Sequence, residues 1–137
     1  MLFVDSIMKY IVNRFLLTLI PCLFSCAYSS SDYTDDLGEG YVFVSESNAH
    51  QIISGPNDTT WAGIVPCTVE AYEYDRTYIV VRQRRNLECS EEDFSKLQVA
   101  YWIIDKKKET VYGPLDSLSF FTKKKDLMVS SSLAFKN

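Results

Sequence analysis

Histidine is almost missing: His50 is the single one among 137 residues. Zinc sites built from several imidazoles are therefore excluded, and catalysis by histidine has one candidate. A basic excess is missing too. Lys plus Arg total 14 against 18 Asp plus Glu, a formal charge of −4. An acidic chain with no cationic face gains little from a polyphosphate, so nucleic acid is not expected as a partner. The sequence holds no G-x-S-x-G elbow and no H-E-x-x-H helix signature, which removes the commonest hydrolase frames. Asp32, Asp35 and Asp36 lack the Gly and Glu spacing of a calcium loop, and neither a metal nor a cofactor is expected.

What is present is a globular composition. Hydrophobic residues make up 47% and aromatics 14%, with nine Tyr, eight Phe and two Trp. That rules out general disorder, and the length suits one domain. The opening MLFVDSIMKYIVNRFLLTLIPCLFSC has Lys9 and Arg14 ahead of an uncharged run, Phe15 to Phe24. The run is shorter than the about 20 residues of a membrane span, and it fits the apolar region of a signal peptide. Met8 opens a more ordinary signal than Met1 does. The run ends in Leu23-Phe24-Ser25-Cys26, which resembles the lipobox of bacterial lipoproteins. That resemblance implies diacylglycerol on the Cys26 thiol, cleavage before it and acylation of the new N-terminus. Acyl chains, at about 0.8 kcal/mol per buried CH₂, would hold the chain on a membrane. The expected organisation is a signal peptide over 1–25, a lipidated Cys26 with a flexible acidic tether over 26–37, and one globular β-rich domain over 38–137.

Within that domain two-residue alternation dominates, the period of a strand. Strands are expected at 40–44 and 50–53, then a turn at Gly55-Pro56-Asn57-Asp58 and a short apolar piece from Trp61 to Val65. The unit CTVEAYEYDRTYIVVRQRR predicts a hairpin turning at Asp75-Arg76. Its return strand, and LQVAYWII at 97–104, are apolar on both faces and should be central. Ser90 to Asp93 suggests a capped helical turn. Asp105 to Glu109 is a charged hairpin loop. Asp116 is placed to cap a helix, with Leu118 and Phe121 on one side and Lys123, Lys124 and Lys125 in the last turn. The expected fold is mainly β: a single antiparallel meander sheet with a C-terminal α-helix packed on it, in the α+β class.

From about Gly38 to Phe135 the chain resembles a family of small bacterial lipoproteins of unknown function. Tyr72-Glu73-Tyr74-Asp75, Tyr78-Ile79-Val80-Val81-Arg82-Gln83, Tyr101-Trp102-Ile103-Ile104-Asp105 and Tyr112-Gly113-Pro114-Leu115 carry the resemblance. It implies an envelope location and a compact fold, and no activity.

The chemistry-bearing residues are few. His50 would need a nucleophile and an orienting carboxylate to act as a base. Glu70, Glu73, Asp75 and Asp105 lie on or beside strands and could be paired as acids, although Asp75 reads more simply as a turn former. No catalytic residue is assigned and no enzymatic activity is expected. Tyr72, Tyr74, Tyr78, Tyr101 and Tyr112 lie on neighbouring strands as candidate ligand-binding aromatics. Tyr also suits half-buried sheet positions. Cys67 and Cys89 remain once Cys22 leaves with the signal and Cys26 takes lipid. An ideal ladder sets position 67 opposite about position 84, so two separate reduced thiols are expected. The functional expectation is a lipid-anchored envelope protein on the cell membrane or outer membrane, its domain outside the cytoplasm. Its role would be binding or structural, with the membrane and an envelope protein or glycan as partners. The alternative is a tethered inhibitor or immunity-type protein that blocks an enzyme.

Overall fold

A computed structural model describes residues 32–59, 63–88 and 97–136. The signal peptide, Cys26, Cys89 and the Ser90–Asp93 turn lie outside the described residues. The period-two pattern is realised as β1 (Tyr33–Gly38), β2 (Tyr41–Ser45), β3 (Gln51–Ser54), β4 (Val69–Tyr74), β5 (Tyr78–Arg84), β6 (Val99–Asp105) and β7 (Thr110–Leu115), followed by helix α1 (Ser117–Asp126). Every paired neighbour is antiparallel and consecutive in sequence. The mainly β meander and its C-terminal helix are thus as expected.

The single sheet is corrected to two: a three-stranded sheet β1-β2-β3 and a four-stranded sheet β4-β5-β6-β7. The reason lies in β5 and β6. Ile79, Val81, Trp102 and Ile104 project from one face and Val80 and Ile103 from the other, and all six are buried. One helix covers one face only, so the opposite apolar face needs a second layer. The smaller sheet supplies it, with Leu37, Tyr41, Phe43 and Ile53 packed on the Trp102 side. Val65, in the chain between β3 and β4, forms an isolated antiparallel bridge to Ile53.

The tether is corrected as well. Its last residues, from Tyr33, form β1, and Leu37 is fully buried in the inter-sheet core. The acidic run hid this strand, because one buried apolar residue among Asp and Thr shows no periodicity. Ladder irregularities fall between Asp36 and Gly38, Val69 and Ala71, and Tyr101 and Ile103. The β5–β6 ladder runs unbroken.

On the other face, Phe120 stacks on Tyr101 at 5.0 Å between ring centroids and on Phe135 at 6.0 Å. Val129 and Leu133 complete this second core. Leu118 and Phe121, the apolar residues noted on one side of the helix, do not form its packing face and are 79% and 61% exposed. A helix lying beside β6 and β7 turns only the Phe120 side toward them, and chain beyond the helix fills the remaining space. Asp116 caps the helix as expected, accepting the Ser119 N–H at 2.7 Å. That bond holds the Asp116 carboxyl below the usual carboxylate range. A folded pKa below the unfolded one stabilises at pH above the unfolded value, about 3.9, and the contribution is lost as pH falls through the folded value. Asp116→Asn, which caps without titrating, should therefore flatten the acid limb of the pH–melting curve. Parallel acid limbs for variant and wild type would show that the cap is not the titrating element.

Cys67 is buried and disulfide-bonded, which corrects the expected reduced thiol. Its partner lies outside the described residues.

Candidate functional site

His50 immediately precedes β3, with Nδ1 3.1 Å from the Glu46 carboxylate. Ser47 Oγ accepts the backbone N–H of His50 at 3.0 Å, so this hydroxyl serves the turn. Asp75 is a turn former, its Oδ1 accepting the N–H groups of Thr77 and Tyr78 at 2.7 and 2.8 Å. Glu70 faces Arg84 and Arg82 on the sheet surface, while Glu73 is half-buried on β4. Asp105 is buried at the end of β6 and accepts the Lys108 N–H at 3.1 Å. Glu70, Asp75 and Asp105 are held by local contacts, Glu73 stands half-buried on β4, and the four do not converge as one pair.

The five tyrosines divide between the two faces of the larger sheet. Tyr78, Tyr101 and Tyr112 pack beneath α1 and the C-terminal segment, Tyr78 donating its hydroxyl to the Leu127 carbonyl at 3.1 Å. Lys123 lies 5.3 Å above the Tyr112 ring and Lys124 donates to the Leu133 carbonyl, so two of the three lysines are engaged within the fold. Tyr72 and Tyr74, two apart on β4, share the opposite face and stack at 6.5 Å. The row expected from neighbouring strands is therefore two groups: the register sets Tyr72 and Tyr74 opposite Val81 and Ile79, whereas Tyr112 is opposite Ile103 and Tyr101 opposite Arg82, on the other face.

The Tyr72–Tyr74 group opens on chemistry. Phe43 lies 4.6 Å from Tyr72 and 6.2 Å from Tyr33, so four rings cross from one sheet to the other. The Tyr72 hydroxyl donates to Asp35 Oδ2 at 2.9 Å. Burial and that carboxylate push the phenol well above its usual pKa, keeping it a neutral donor. Beyond Tyr74 lies a cleft of about 630 Å³ between the β1–β2, β4–β5 and β6–β7 turns, within the span of ligand pockets, about 300–1,000 Å³. Its floor is Lys106, buried and 5.6 Å from the Tyr74 ring. Lys106 Nζ donates to the Leu37 carbonyl at 2.6 Å. Burial lowers its pKa, and Asp75, Glu39 and Asp36 act in the opposite direction. Gly38 permits this approach: its φ is +83°, and a Cβ there would stand 3.3 Å from Nζ. Asp36 Oδ1 accepts the Gly38 N–H at 2.8 Å and shapes the turn.

The sequence offered no signal for Lys106. It stands in a charged hairpin and looks like its exposed neighbours Lys107 and Lys108. A second concavity, of about 570 Å³, is polar and lies beside Thr68, Glu70 and Asn86. Among the described residues no group of three or more His, Cys, Asp or Glu is placed to hold a metal, and no helix is long and apolar enough to cross a membrane.

These features define a small two-sheet β protein with a helix-backed sheet and a charged, aromatic-walled cleft between the sheets. Over residues 38–137 the chain matches the family described as proteins of unknown function (DUF3997), and it belongs to that family. No curated protein and no solved structure matches it.

Proposed function

We propose that the protein is a lipid-anchored lipoprotein of the bacterial cell envelope, whose domain is a non-enzymatic binding module held outside the cytoplasm. The observation that carries the reading is Leu23-Phe24-Ser25-Cys26 at the end of the uncharged Phe15–Phe24 run. β1 begins at Tyr33, so the tether from Cys26 is short. With an extended reach of at most about 3.6 Å per residue, the domain would stay close to the bilayer. The inter-sheet cleft supports binding as the domain's role, since it joins an aromatic wall to a buried ammonium.

Cys26→Ala should abolish incorporation of labelled palmitate and move the protein from the membrane fraction to the soluble one. Retention of the variant on membranes, together with no label in the wild type, would overturn the anchor.

A further inference from the structure

Lys106 is 5% exposed, yet an ammonium has three N–H donors to satisfy. Among the described residues one oxygen accepts from it, the Leu37 carbonyl, and the Tyr74 ring lies 5.6 Å from Nζ. Among the described residues no carboxylate reaches Lys106 within ion-pair distance, and Asp36, Glu39 and Asp75 act on it only through space. A buried donor without an acceptor costs free energy, so the floor of the cleft favours a ligand that accepts hydrogen bonds.

Three further features narrow the ligand. The Tyr74 ring, 41% exposed, forms a flat apolar wall beside Lys106. Asp36 and Asp75 each use Oδ1 on local backbone N–H groups, and the Oδ2 of each remains able to accept. The lining is balanced in charge, with Asp36, Glu39 and Asp75 set against Arg76, Lys106 and Lys107. A strongly charged ligand of either sign would meet repulsion there. A neutral ligand with many hydroxyls would not, because each hydroxyl both donates and accepts. The apolar C–H face of a pyranose also suits an aromatic wall.

We propose that the cleft between Lys106 and Tyr74 binds a neutral sugar unit of an oligosaccharide. Lys106 donates to a ring hydroxyl, Asp36 and Asp75 accept from others, and Tyr74 packs on the sugar face. This rests on the reading of the domain as a binding module and is independent of the lipid anchor.

The test titrates the membrane-extracted full chain, in a detergent without sugar headgroups, with maltotetraose, chitotetraose and mannotetraose by calorimetry. Inorganic phosphate and a Lys-Glu dipeptide are the charged probes. Saturable binding of at least one oligosaccharide is expected. Tyr74→Ala should weaken it roughly tenfold, while Tyr74→Phe retains it. Tyr74 is half-exposed, so both variants should fold, and circular dichroism checks this. No binding by any oligosaccharide to the folded chain overturns the proposal, as does sugar binding that Tyr74→Ala leaves unchanged. Tyr74-dependent binding of phosphate or dipeptide alone overturns the sugar and keeps the binding module. Fractionation of the Cys26→Ala variant reports on the anchor separately.

Discussion

Trp102→Ala is expected to lower unfolding free energy by about 3–5 kcal/mol, a large share of the about 5–15 kcal/mol of a small domain. The side chain is buried in the inter-sheet core. Its indole N–H donates to Gln83 Oε1 at 2.8 Å, and Gln83 Nε2 donates in turn to the Pro66 carbonyl at 2.8 Å. Truncation therefore leaves a cavity and an orphaned amide oxygen together. Gly113 lies against the ring so closely that a Cβ there would come within 2.4 Å of Trp102 Cε3, so β7 has no side chain with which to fill the gap. Urea denaturation followed by circular dichroism measures the loss. Trp102→Phe separates its parts: much of the volume stays, and the lost hydrogen bond costs about 1–3 kcal/mol. An unchanged midpoint for Trp102→Ala would contradict the packing of the two sheets on β6.

Leu37→Ala should cost about 2–5 kcal/mol, the range for emptying a fully buried leucine site. Leu37 lies wholly inside the core that joins the sheets, and its own carbonyl receives Lys106 Nζ. Thr34→Ala, at an exposed position of the same strand, should change stability by no more than about 0.5 kcal/mol. The contrast distinguishes a strand from a linker. If both variants denature at the wild-type urea concentration, β1 contributes nothing to the fold and the domain begins after it.

These two residues also mark what could be read from the sequence. Trp102 sits in LQVAYWII, where apolar side chains on both faces announce a central strand whatever surrounds it. The hairpin through Asp75 and the Asp116 cap were legible for the same local reason: each is written in residues a few positions apart. The division into two sheets was legible only in part. Apolar residues on both faces of β5 and β6 require two covering layers, but nothing local says that the second is made of strands. Leu37 and Lys106 were hidden because burial of a lone residue in a charged segment depends on what packs over it. The candidate site suffered most from this. Tyr74 was singled out by residue type alone, whereas the lysine beside it becomes distinctive only when the turns of both sheets meet. The bonded state of Cys67 is not legible in the sequence, because strand register alone does not place its partner.

The irregular ladders have a consequence for crowding. Each of the three involves a strand at the border of its sheet, β1, β4 or β7, while the interior β5–β6 pair is regular. A straight border strand offers its free N–H and C=O groups to any similar strand that approaches, and neighbouring molecules can zip together edge to edge. A bulge spoils that register and twists the border away. The remaining border, β3, is four residues long and is met by Val65. Borders built in this way disfavour edge-to-edge pairing between copies of the chain at high local concentration.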